Sequence, residues 1–143
     1  VSGSTLNLEF EKNYWNVRNN NIKVTVYTTG ISKIEMNGSG NISLRDSLKT
    51  DRLRMEINGS GNIYTYNNYV ENVEIDINGS GSINARNLTG RYVYADISGS
   101  GDAEITVQEK LDVKINGSGS VKYWGNPSTV NTNINGSGKV RKQ

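Results

Sequence analysis

Leu53-Arg54-Met55-Glu56-Ile57-Asn58-Gly59-Ser60-Gly61-Asn62-Ile63 is the stretch that decides the fold. Apolar and polar residues alternate up to an Asn-Gly-Ser-Gly corner, and the alternation restarts two residues after the last glycine. Period-2 alternation of largely β-branched residues on both sides of a glycine turn reads as two short strands, each with one buried face. The tetrapeptide recurs at Asn37, Asn58, Asn78, Asn116 and Asn135, with Ser98-Gly99-Ser100-Gly101 as a sixth copy, at spacings of 21, 20, 20, 18 and 19 residues. Ahead of the copies the inward positions are Ile34 and Met36; Leu53, Met55 and Ile57; Val73, Ile75 and Ile77; Val93, Ala95 and Ile97; Leu111, Val113 and Ile115; and Val130 and Ile134. Behind them the inward positions are Ile42, Ile63, Ile83, Ala103, Val121 and Val140.

No 3.6-residue period runs through the chain, and the Gly-Ser-Gly units would interrupt any helix, so the fold class is all-β. A coil of about 20 residues holds two or three short strands and cannot bury its apolar face until a neighbour stacks on it. The expected architecture is a parallel β-helix, a β-solenoid with equivalent residues about 4.8 Å apart up the stack. Its corner glycines are Gly38 and Gly40, Gly59 and Gly61, Gly79 and Gly81, Gly99 and Gly101, Gly117 and Gly119, and Gly136 and Gly138. They allow positive φ and close approach of stacked backbones. The amides of Asn37, Asn58, Asn78, Asn116 and Asn135 would form a ladder. Each of these also heads an Asn-x-Ser sequon, read here as turn chemistry rather than glycosylation. Six antiparallel hairpins are the competing reading, because Asn-Gly is a strong hairpin signal. Near-identical repeats favour the equivalent environments of a stack.

The 143 residues suffice for one domain with a core. Asn, Gly and Ser number 21, 16 and 15, a bias that usually signals disorder but here is periodic. Cys and His are absent, which removes thiol nucleophiles, Cys/His zinc sites and histidine-based triads. A net charge of +2 is too small to argue for nucleic acid or an anionic membrane. No apolar run approaches the roughly 18 residues of a transmembrane segment.

The expected layout is a single domain over 1–143, with an end layer at 1–36 and repeat coils over 37–143. Leu6–Phe10 and Ile22–Tyr27 alternate like strands, while Ser2-Gly3-Ser4 is too degenerate to count as a corner. At the other end Pro127 and the cations Lys139, Arg141 and Lys142 are suited to blunting a strand edge. The runs Leu6–Phe10 and Ile22–Val26 have few charges, and pairing of two copies through the 1–36 layer is expected.

The repeated I-x-I/M-N-G-S-G-x-I pattern, the run Lys23-Val24-Thr25-Val26-Tyr27 before it and the closing Tyr123-Trp124-Gly125-Asn126-Pro127 resemble the head GIN domain of bacterial auto-transporter adhesins. The resemblance covers nearly the whole chain. It implies a right-handed β-helix-like fold, export to the cell envelope or surface, and an adhesin role. It brings no catalytic residues and no cofactor. It also implies a further N-terminal portion ahead of Leu6, so that this chain would be a truncated or processed piece.

Two residues before each corner stands an outward column: Glu35, Glu56, Asp76, Asp96, Lys114 and Asn133. Two carboxylates one strand apart match the separation in a retaining glycosidase, about 5–5.5 Å, or could share a Ca²⁺. A column solvated and softened by Lys33 and Arg54 is the favoured reading, because the spacing follows from the repeat itself. Nothing nearby in the sequence gives Glu56, Asp76 or Asp96 a distinct pKa, so no catalytic residue and no metal ligand is assigned. Calcium-binding β-rolls need an Asp after each glycine pair and a nine-residue period, and only Asp102 follows a corner here. A phosphate cradle would need a Lys-Ser/Thr or helix start after the glycines.

Tyr64, Tyr66, Tyr92, Tyr94 and Trp124 fall on outward positions, and Arg45 and Arg86 flank Tyr66 in its column, a cation–π arrangement. These seven residues are the candidate binding site, an aromatic and basic stripe for a host or envelope glycan or a protein surface. The expected function is a non-enzymatic, exported β-solenoid for adhesion or scaffolding. A polysaccharide-processing enzyme built on Glu56, Asp76 and Asp96, or a plain structural spacer, are the alternatives.

Overall fold

A computed structural model describes residues 4–9, 22–28 and 30–143. The described residues contain ten strands and no helix: β1 (Lys33–Gly38), β2 (Asn41–Leu44), β3 (Arg52–Gly59), β4 (Asn62–Thr65), β5 (Asn68–Gly79), β6 (Ser82–Gly99), β7 (Asp102–Gly117), β8 (Ser120–Trp124), β9 (Thr129–Gly136) and β10 (Lys139–Lys142). Every pairing is parallel and joins equivalent positions of successive repeats. Asn37, Asn58, Asn78, Ser98, Asn116 and Asn135 follow one another as ladder partners. Ile42, Ile63, Ile83, Ala103, Val121 and Val140 do the same on the far side of the corner. The chain is thus a β-solenoid, and the hairpin alternative is excluded, since hairpins would pair antiparallel.

The corner works through both its glycines. The first takes φ between +118° and +136° in all six repeats, a region costly for residues with a Cβ. The second lies against the coil below, so that a Cβ on Gly81 would meet Ile57 Cγ2 at 2.7 Å. The ladder continues through the turn, as Ser60 N donates to Gly38 O at 3.0 Å and Asn62 N to Gly40 O at 2.8 Å. An amide ladder runs beside it, with Asn58 Nδ2 donating to Asn37 and Asn78 Nδ2 to Asn58, both at 3.0 Å. It stops at Ser98 and resumes from Asn135 to Asn116 at 3.2 Å.

Leu53, Met55, Ile57, Ile75, Ile77, Ile97, Leu111 and Ile115 are fully enclosed in columns inside the coil. Each such side chain contributes roughly 1.5–3 kcal/mol of burial. In the last coil Val130 and Ile134 stay more than a third exposed. A third inward line also exists: Val70, Gly90 and Val107 are ladder partners and buried. This side absorbs the uneven repeat length. Between β6 and β7 the register jumps from Ala85↔Ile105 to Thr89↔Thr106, then from Gly90↔Val107 to Tyr92↔Lys110. Three residues bulge out of β6 and one extra enters β7, which turns a 20-residue repeat into the 18-residue one.

The expected strands at Leu6–Phe10 and Ile22–Tyr27 are corrected by the structure. Residues 6–9 and 22–28 carry no strand, and Phe10, Ser2 and Gly3 lie outside the described residues. Alternation alone does not make a strand: Leu8, Ile22 and Val24 are more than half exposed, so among the described residues no core face holds these runs against a ladder.

Candidate functional site

Period-2 alternation turns the outward residues into flat columns on separate faces of the coil. The face before the corner carries the acidic column in register, Glu35, Glu56, Asp76, Asp96, Lys114 and Asn133. Cations lace it together. Lys33 Nζ lies 2.6 Å from Glu35 and 3.2 Å from Glu56. Arg54 reaches Glu56 at 3.5 Å, Glu74 at 3.4 Å and Asp76 at 3.0 Å. Lys114 Nζ donates to Asp96 at 2.9 Å.

These contacts make the carboxylates unequal. The Lys33 ammonium and the Asn37 amide hold the Glu35 carboxyl below its usual range. The Asn58 amide does the same for Glu56, with help from Lys33 and against partial burial. Asp76 moves the opposite way, pushed up by burial, with the Arg54 charge offsetting only part of it. Its Oδ2 sits at ion-pair distance from Arg54 but makes no hydrogen bond, and neither does the buried Arg54 Nε. The expectation that nothing sets these acids apart is therefore corrected, because it weighed sequence neighbours and not the cross-coil reach of Arg54.

Ladder spacing puts Glu56 and Asp76 about 5 Å apart, near the separation used by retaining glycosidases. The Arg54 guanidinium stands between them, in the place a glycosidic bond would need. Open surface depressions of about 600 and 270 Å³ lie elsewhere, and neither is lined by Glu56 or Asp76. Among the described residues no three carboxylates converge as metal ligands.

The seven stripe residues separate into two groups. Tyr64 stands on the face after the corner, between Ser43 and Asn84 of the adjoining coils. Arg45 and Tyr66 lie one residue past β2 and β4, Arg86 lies in β6, and Trp124 closes β8 with Thr106 as its ladder partner. Tyr92 and Tyr94 belong to the acidic face, paired with Asn72 and Lys110 and with Glu74 and Asp112. The cation–π contact also differs from the expected one. Arg86 leans over Thr106 to place its guanidinium 4.7 Å from the Trp124 ring centroid, and among the described residues neither Arg45 nor Arg86 stacks on Tyr66. Thr106, the ladder partner of Trp124, donates its hydroxyl to the Arg86 carbonyl, and an indole is the better cation–π partner.

A family model described as "Putative auto-transporter adhesin, head GIN domain" matches residues 1–127. The chain belongs to this family. The fold of this head GIN domain is similar to the crystal structure of a "putative adhesin" from Bacteroides fragilis NCTC 9343, with a TM-score of 0.62 and 23% identity. That match covers 79% of this chain and 61% of the other, and at such identity the likeness is one of fold. Comparison with curated proteins gives no match. Among the described residues no helix of the head GIN domain is long and apolar enough to cross a membrane.

One cluster of this head GIN domain escapes sequence reading. Arg91 bridges Glu71 at 2.8 Å and Glu109 at 3.0 Å in the coils on either side. Tyr92 OH donates to Glu109 at 3.2 Å and Tyr69 OH to Glu71 at 3.3 Å. The signal was available: Glu71, Arg91 and Glu109 stand 20 and 18 residues apart, at the repeat spacing and with alternating charge. The register shift beside them hides it from a count made outward from the corners.

Proposed function

We propose that this chain is a non-enzymatic adhesion domain, exported to the cell envelope or surface, that binds through the face carrying Tyr64, Tyr66, Arg86 and Trp124. Family membership supports the adhesin role and the location. The observation that carries the reading is the Arg86–Trp124 stack at 4.7 Å beside Tyr64 and Tyr66, which are 40% and 49% exposed. Exposed rings and a stacked guanidinium on a regular sheet face offer a partner broad, pre-organised contact at little entropic cost. The partner class is a glycan or protein surface of a host or of the envelope.

The test is adhesion of cells displaying the domain, together with glycan-array binding of the purified chain. Tyr66→Ser combined with Trp124→Ala should lower both, with the melting temperature followed as a control for folding. Binding that the double variant retains in full would move the contact to another face, and a chain that binds in neither assay would be a spacer. A second reading, a polysaccharide-processing enzyme, is supported by the pairing of Glu56 with Asp76 on adjacent strands, about 5 Å apart, and by the opposed directions of their pKa shifts. Turnover of an envelope polysaccharide that disappears in Asp76→Asn would establish it.

A further inference from the structure

The two outward faces differ in how their cations are used. On the acidic face Lys33, Arg52, Arg54, Lys110 and Lys114 each lie within 3.2 Å of a carboxylate. On the face after the corner Lys122 pairs with Glu104 at 3.1 Å, and Asp102 accepts a backbone hydrogen bond from Ser120. Arg45, Arg86, Lys139 and Arg141 have no ion pair among the described residues. Of the seven described cations without an ion pair, these four thus stand on the face that displays Tyr64, Tyr66 and Trp124, the others being Lys23, Lys49 and Lys142.

Counting one or two residues past the β2–β4–β6 ladders puts Arg45, Tyr66 and Arg86 at equivalent positions of successive coils; Arg86 opens the β6 bulge, beyond which Thr89 pairs with Thr106 and Thr106 with Trp124. Coils repeat at about 4.8 Å, so Arg45 and Arg86 emerge about 10 Å apart with a tyrosine between them. The Arg86 guanidinium lies over the Trp124 ring and donates no hydrogen bond among the described residues, so its forked N–H groups are available to chelate a carboxylate with two parallel hydrogen bonds. The hydroxyl of Thr106 donates to the Arg86 carbonyl at 2.6 Å and ties the backbone beneath the stack. Aromatic faces accept the apolar face of a pyranose ring.

We infer that this face binds an acidic polysaccharide bearing one carboxylate per disaccharide, its carboxylates on Arg86 and Arg45 and an intervening sugar on Tyr66. The inference rests on the binding face proposed above and names its ligand class. A nucleic acid strand fits less well, because it carries a charge every 3.4 Å or so while the cations here come at every second coil.

The test is a titration of the purified chain with hyaluronan oligosaccharides, which carry one carboxylate per disaccharide, with neutral cello-oligosaccharides and with oligo-dT, at low and high salt. Hyaluronan should bind best and weaken with salt. Arg86→Gln should weaken it roughly tenfold or more, and Arg86→Lys should not restore it, because lysine neither stacks nor chelates in the same way. Arg52→Gln on the acidic face should leave it unchanged. Neutral oligosaccharide bound as tightly as hyaluronan, without salt dependence and still sensitive to Tyr66→Ser, overturns the acidic ligand and spares the binding face. Tighter binding of oligo-dT overturns the ligand class in favour of nucleic acid. Binding of any probe that ignores Arg86 and Tyr66 substitutions alike, in variants that melt normally, overturns both the ligand and the face.

Discussion

Gly59 sits directly on Gly38: a Cβ on Gly59 would stand 2.5 Å from the Gly38 carbonyl oxygen, closer than real contacts allow. The same relation recurs up the stack, so the corner glycines serve coil-to-coil approach as well as the turn. Gly38, by contrast, has nothing within 4 Å of where its Cβ would be, although its φ is +118°.

Gly38→Ala should therefore cost only backbone strain, about 1–2 kcal/mol. Gly59→Ala adds a clash with backbone that has no room to move, for a loss of about 3 kcal/mol or more. Thermal melts of the two variants check this, and equal losses would mean that coil spacing does not depend on the absence of a side chain.

Ile77 is fully buried and its neighbour Asp76 faces outward, so a one-residue difference separates core from surface. Ile77→Asp should unfold or severely destabilise the domain, by about 3–5 kcal/mol, through an unpaired buried charge. Asp76→Ser should change stability little, since Arg54 keeps Glu56 and Glu74 as partners. Small and equal shifts in melting temperature would contradict the register.

The acid limb of stability has opposed contributions. Glu35, Glu56 and Asp112 have lowered pKa values, from Lys33, the Asn58 amide and Lys110 respectively. Their stabilisation is present above the unfolded carboxyl pKa of about 4 and is lost as pH falls through the lowered folded values. Asp76 is raised by burial, so the folded state binds its proton more tightly, and acidification favours folding in the window between its unfolded and folded pKa. Asp76→Asn should remove that compensation and steepen the loss of stability on acidification. Denaturation midpoints from pH 7 to 3 measure it, and an unchanged slope would show that Asp76 titrates normally.

The inward columns, the corners and the acidic column were legible because period-2 alternation and a constant tetrapeptide fix register without long-range information. The third inward side was not. Val70 and Gly90 each stand eight residues before the next corner but Val107 stands nine, and the register shift between β6 and β7 at Arg86-Asn87-Leu88 breaks the count. Side-chain partners across coils were likewise hidden: the sequence places Arg86 next to Tyr66, and only three-dimensional packing shows that its guanidinium lies over Trp124. The alternating runs near the start look like Ile75 or Val113 locally, but among the described residues no coil covers Leu8 or Tyr27 to make them core.

That exposure has a consequence in solution. Leu8, Ile22 and Tyr27 are 63%, 62% and 90% exposed, and residues 6–9 and 22–28 lie outside every strand. Exposed segments with alternating apolar residues are suited to add to the strand edge of another copy. Light scattering should show concentration-dependent association that Leu8→Ser with Tyr27→Ser reduces. A mass that stays monomeric across the whole concentration range would defeat this.

Ser98 is where the amide ladder breaks, with Asn78 below it and Asn116 above it as ladder partners. The ladder runs from Asn78 to Asn58 and from Asn135 to Asn116, each at 3.0–3.2 Å, and serine is too short to carry it across. The backbone at this corner matches the others, with Gly99 at φ +123°, so an asparagine should fit there without rearrangement. Ser98→Asn then adds two cross-coil hydrogen bonds, worth about 0.5–1.5 kcal/mol each and less where water competes for the amide. The melting temperature should rise by a few degrees. Ser98→Ala is the control, because it removes the hydroxyl without supplying an amide and should leave the melt nearly unchanged. If Ser98→Asn proves no more stable than Ser98→Ala, the ladder follows from the stacking of the coils and does not help hold them together.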